Sequence, residues 1–155
     1  MHIDGSCSMV FMCGGGIIRN PWGSVMLAFS MCLGPGDSLQ DEALALLNAL
    51  FICMQRNLIL NAIETDSLMV FNALLEHCLT PWTIEYTILR CKMIISNNMK
   101  VLNIWRDGNA VADFLASKAN YVEHVTFFSG LGSLLEEVSK LVIADALGVH
   151  HYMPH

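Results

Sequence analysis

The segment GPGDS at residues 34–38 divides this chain into two kinds of sequence. Proline has no amide hydrogen to give a sheet and glycine weakens a strand, so a strand arriving here stops. Asp37 or Ser38 then stands as the N-cap of a helix, with Asp41 and Glu42 in a first turn that favours negative charge. Ahead of the break lie only short apolar segments. Residues 7–18 mix apolar residues with GGG, which predicts a strand, a turn or bulge, and the start of another strand. NPWG at 20–23 has Asn first, Pro second and Gly last, the order of a type I turn. SVMLAFSMCL returns as a third strand, which completes an antiparallel meander.

Past the break, strands alternate with helices. The first helix runs to about Gln55, LILNAIET reads as a fourth strand, and Ser67 or Asp66 caps the helix LMVFNALLEH. Pro81 opens a further helical stretch to about Ile95, KVLNIW is a fifth strand, and NAVADFLASKA is the last core helix. The order predicts an α/β fold with a mixed five-stranded sheet flanked by helices. The first three strands are antiparallel, and the fourth and fifth run parallel to the first through right-handed crossovers. The pattern weakens after Tyr121. SLLEEVSKLVIADAL predicts one peripheral helix, and HHYMPH a loose tail, so the expected division is a domain over residues 1–122 and an extension over 123–155.

Composition narrows the function classes. With 54% apolar and 14% charged residues the chain is not disordered and is expected to show a greasy surface. A net charge of −6 supplies no Lys/Arg footprint for nucleic acid, although a bound divalent metal offsets that locally. Six cysteines without a C-x-x-C pair read as reduced thiols packed among apolar neighbours. No run reaches the roughly 18 apolar residues of a membrane span, and no Lys or Arg precedes the uncharged residues 5–18 as in a secretory signal. The expectation is a soluble, intracellular protein.

Four acids stand in apolar company: Asp4 in or at the end of the first strand, Glu42 beside Leu39, Leu46 and Leu50, Asp66 after the fourth strand, and Asp113 one turn beyond Asn109. Taken singly, each has an ordinary explanation as a helix cap, a first-turn acid or a solvated helix residue. The alternative is a cluster, with Asp4 and Asp66 side by side if the first and fourth strands are neighbours and Glu42 and Asp113 approaching from two helices. Clustered carboxylates raise one another's pKa unless a cation neutralises them, and oxygen-only ligation favours Mg²⁺ or Mn²⁺ over zinc.

The segments IDGS, GGGIIRNPWGSVMLAFSMCLGPG, DEALALLNAL, ETDSL and WRDGNAVADFLA, in that order from about residue 2 to 119, resemble the ribonuclease H-like, reverse-transcriptase-associated domain of plant retrotransposon-derived reading frames. The resemblance implies a two-metal nuclease for the RNA strand of RNA–DNA hybrids, with Asp4, Glu42, Asp66 and Asp113 as metal ligands and catalytic residues. It further implies substrate contacts near Gly5, Ser6, Asn109 and Asn103 through the RNA 2′-hydroxyls. The chain departs from the family in three places. Asn103 stands where active members usually carry a histidine, and it cannot titrate near neutral pH. CSMVFMC replaces a basic segment, and the first strand has little sequence ahead of Asp4, as in a truncated frame. A catalytically impaired nucleic-acid- or protein-binding remnant of a retrotransposon is therefore the alternative expectation.

Overall fold

Apolar segments form three antiparallel strands, β1 (His2–Ser8), β2 (Phe11–Arg19) and β3 (Val25–Gly34). A computed structural model of the chain describes residues 1–8, 11–105, 109–118, 125–128, 136, 139–140 and 142–143, with residues 2, 4–8, 11 and 12 described by backbone alone. The NPWG turn closes as its sequence predicts. The Gly23 amide donates to the Asn20 carbonyl at 2.9 Å, while Asn20 Oδ1 accepts from the amides of Trp22 at 3.0 Å and Ser24 at 2.9 Å. Gly23 has φ +83°, a conformation that L side chains resist.

Helix α1 (Ser38–Gln55) starts at Asp37, whose carboxylate accepts from the Gln40 amide at 2.8 Å while Gln40 Oε1 accepts from the Asp37 amide at 3.2 Å. This reciprocal cap satisfies two amides that the helix itself leaves unpaired. Then follow β4 (Ala62–Thr65), α2 (Leu68–Leu74), α3 (Trp82–Ile94), β5 (Lys100–Asn103) and α4 (Ala110–Lys118). The β4 strand pairs in parallel with both β1 and β5. The amide of Glu64 and the carbonyl of Ala62, neighbours of the short first strand, are met by Met1 at 2.7 Å and 3.1 Å.

Two expectations need correction. Among the described residues the sheet has six strands, in the order β5-β4-β1-β2-β3-β6, because β6 (Thr126–Phe128) adds antiparallel to the edge of β3. Three residues carry too little periodicity to be read as a strand, and the unpaired edge of β3 supplies what local propensity does not. The GGG run is also neither a turn nor a bulge. It lies inside β2, with register shifts on either side, between Met12 and Cys13 and between Ile18 and Arg19.

Close helix approach explains those glycines. A Cβ on Gly14 would stand 2.9 Å from the Ala45 Cβ of α1, and one on Gly15 would stand 2.3 Å from the Ala116 backbone nitrogen of α4. Consecutive strand residues face opposite sides, so α1 and α4 cover opposite faces of the sheet. On the α1 face, Leu46, Leu50 and Cys53 pack with Ile3, Ile18, Leu27, Phe29, Met31 and Ile63, and α2 and α3 close over them. On the α4 face, Val111 and Leu115 pack with Ile17, Val25, Ala28 and Val142. Val142 belongs to the expected peripheral helix, of which residues 136, 139–140 and 142–143 are helical. The rest of that segment and the HHYMPH tail lie outside the described residues.

None of the five cysteines with described side chains forms a disulfide; Cys13, Cys53 and Cys91 are buried, and burial pushes Cys53 up to about 11 and Cys91 to about 12. No helix among the described residues is long and apolar enough to cross a membrane.

Candidate active site

The parallel pairing of β1 with β4 covers only His2↔Glu64 and Ile3↔Thr65. Beyond that point β1 continues to Ser8 on its pairing with β2, whereas β4 ends. The next residue on each neighbouring strand is an acid: Asp4 on one, Asp66 on the other. The backbone thus sets these two positions side by side where the parallel pairing ends, at the carboxyl end of β4, the end of α/β strands at which ligands commonly bind.

Asp66 is not the cap of α2. Ser67 takes that role, its Oγ accepting from the Val70 amide at 3.5 Å, and Thr65 Oγ1 accepts from the Ser67 amide at 3.1 Å. The Asp66 carboxylate turns instead to α4, where its Oδ1 accepts from Asn109 Nδ2 at 3.1 Å. The same Nδ2 donates to the carbonyl of Ile3 at 2.8 Å. One fully buried amide therefore ties β1, immediately before Asp4, to the side chain of Asp66. Asn109, expected among the substrate contacts, faces inward. Asn103 is exposed at the end of β5, and its Nδ2 donates at 3.1 Å to the Thr65 carbonyl, which also accepts from the Ile104 amide at 3.0 Å.

The other two acids come from the helices on opposite faces. Asp113 is half-buried one turn along α4 from Asn109. Ser30 Oγ donates to the Leu115 carbonyl at 2.7 Å, which with the Gly15 contact fixes α4 on the sheet. Glu42 is half-buried on α1 with its Oε2 shut off from solvent, one turn before the Ala45 that presses on Gly14. Gly14 is the register partner of Gly5, and Cys13 that of Ser6. The side chains of Asp4 and Ser6 lie outside the described residues. Among the described residues no three His, Cys, Asp or Glu side chains surround a single ion position.

Sequence reasoning took Asp41 for an ordinary first-turn acid. The structure buries it completely. Desolvation pushes its pKa up to about 7 against a hydrogen bond from the Cys13 backbone amide, and Asp37 adds to the rise. The signal was available in helical spacing, since Asp41 shares the buried stripe of Ala45, Ala49 and Ile52.

Replacing Asn109 by alanine removes the donor shared by two acceptors, one of them a buried carbonyl. The expected loss is about 2 kcal/mol of unfolding free energy, read by urea denaturation. A variant within about 0.5 kcal/mol of the parent would show that this amide does not hold the site together.

The reverse transcriptase-like family model matches residues 3–119. No curated protein matches the chain in sequence. Among solved structures, the type 1 ribonuclease H of the halophilic archaeon Halobacterium salinarum superposes with a TM-score of 0.69 at 21% identity, covering 76% of this chain and 92% of that one. A type 1 ribonuclease H from a compost metagenome, solved in complex with an RNA/DNA hybrid, gives 0.66 at 21% identity, with 76% and 92% coverage. The prototype foamy virus protease–reverse transcriptase gives 0.57 at 17% identity, covering 78% of this chain and 20% of that one. At these identities the likeness is one of fold. Because the family match runs from β1 through α4, over most of the chain, the chain belongs to the reverse transcriptase-like family and has a ribonuclease H-like α/β fold.

Proposed function

We propose that this chain is a ribonuclease H-type domain that hydrolyses the RNA strand of RNA–DNA hybrids with the help of Mg²⁺ or Mn²⁺. The observation that carries the reading is the register of β1 and β4, which brings the backbone positions of Asp4 and Asp66 together, with Asn109 joining the Ile3 carbonyl to the Asp66 carboxylate. The compost enzyme's complex with a hybrid supports the substrate class. We take residues 1–122 as the catalytic unit and residues 123–155 as an extension, in a retrotransposon-derived sequence of plant type.

The residues suit a hard divalent cation. Neighbouring carboxylates repel in the absence of one, and the donors at this strand end are oxygens. Asp4, Glu42, Asp66 and Asp113 would hold the ions. When bound, such ions supply an acidified water and stabilise the leaving oxygen. The chain's own work is positioning. Asn109 fixes the Asp66 carboxylate by its hydrogen bond, and Asp113, one turn along α4 from Asn109, would complete the set. Gly5 and Ser6 along β1, and the exposed Asn103, are the substrate contacts in this reading.

The test is cleavage of a labelled hybrid in Mg²⁺. Asp66→Asn should fold normally and lose at least about 100-fold in rate. Equal cleavage by parent and variant would overturn the reading.

Asn103 favours a second reading, a remnant that binds without turning over. Its amide donates to Thr65 at the position where a titrating group would be expected to serve proton transfer. Calorimetry separates the two. Heat from Mg²⁺ at millimolar concentration, lost in Asp66→Asn, supports the nuclease; a folded protein with no such heat supports the remnant.

A further inference from the structure

Helix α3 is apolar on two sides. Ile84, Ile88 and Cys91 are buried against the α1 face of the core. On the opposite side Trp82, Tyr86, Leu89 and Met93 follow one another at spacings of four, three and four residues, and are 85%, 70%, 54% and 86% exposed. A helix with apolar residues on both sides is normally covered on both. Spacings that alternate between three and four are those by which two helices interlock side chains along a common seam.

We infer that this outer stripe of α3 is a self-association surface, packed in parallel against α3 of a second copy of the chain. Charge favours that occupant. Glu85 and Arg90 are both exposed, one preceding Tyr86 and the other following Leu89, so they flank the stripe on either side. In a parallel pair, residues five apart in these flanking positions face one another across the seam, so Glu85 of each copy meets Arg90 of the other, twice. Arg90 is held close to the seam, its guanidinium 5.8 Å from the Tyr86 ring centre and 5.1 Å from that of Phe51. Area is also sufficient. Two aromatic and two aliphatic side chains offer roughly 600 Å² per copy, so a pair reaches the lower limit of about 1,200 Å² for a specific interface. The surface belongs to neither the strand-end acids nor any helix that carries them, so it stands or falls apart from the proposed hydrolysis.

The experiment is sedimentation of the full chain from about 1 to 100 µM. The parent should form dimers in the micromolar range, and Leu89→Glu should be monomeric. Glu85→Arg and Arg90→Glu, each alone, set like charges opposite one another and should weaken the dimer about tenfold. Mixing these two variants pairs opposite charges again and should restore association; the double variant should do the same with itself. Circular dichroism checks that each variant is folded. A parent that stays monomeric to about 100 µM overturns the inference. So does an oligomer indifferent to Leu89→Glu, or one whose charge variants are not rescued by mixing.

Discussion

Gly15→Ala is expected to lose about 3 kcal/mol of stability, more than a single added methyl group costs at most sites. The new Cβ would stand 2.3 Å from Ala116 N, 2.6 Å from Ala112 O and 2.8 Å from Leu115 C. All three are backbone atoms of one rigid helix, so no side chain can swing aside. Relief requires α4 to retreat by roughly 1 Å to reach ordinary carbon contact distance. That retreat strains the 2.7 Å bond from Ser30 Oγ to Leu115 O, thins the packing of Val111 and Leu115, and pulls Asn109 from Ile3 and Asp66. The control is Gly23→Ala, where nothing lies within 4 Å and only the positive φ is penalised, at about 1 kcal/mol. Urea denaturation compares them. If Gly15→Ala were no worse than Gly23→Ala, α4 would not be in close contact with β2.

The same glycine marks where local reading of the sequence stops. Asp37, Ser67 and the NPWG turn were legible because each acts within four residues, through caps and turns whose chemistry is written in the neighbouring letters. GGG misled because its use is tertiary: two helices from far along the chain press on opposite faces of β2. The three residues of β6 are a strand only because β3 offers an edge. The acids stand between these cases. Their order along the chain was readable, and so was the adjacency of Asp4 and Asp66 if the first and fourth strands paired. The register Ile3↔Thr65 that meets this condition belongs to the folded sheet. Asn109 was read as a polar residue one turn before Asp113 and, through the resemblance, as a substrate contact; its two acceptors, on β1 and after β4, exist only once the sheet is assembled.

Asp41→Ala is expected to stabilise the protein, and increasingly so as pH rises. In the folded chain the buried carboxyl titrates near 7, about three units above its ordinary value of 3.8. Between those values the folded state keeps a proton that the unfolded state has released, so the parent loses about 1.4 kcal/mol per pH unit over that window. The loss is absent below about pH 4 and complete above about pH 7, where it amounts to about 4 kcal/mol. Alanine has nothing to titrate, suits the helix, and removes a carboxyl whose burial desolvates its charged form. Acids common to parent and variant largely cancel in the comparison. The stability difference, measured by urea denaturation in chelator at pH 4, 6 and 8, should therefore widen by about 4 kcal/mol across the series. A difference that stays level would mean that Asp41 is ionised when folded, with a partner that compensates its charge. A widening difference would identify a carboxylate that the fold tolerates at a cost, one residue before the Glu42 to which the proposed chemistry assigns a metal.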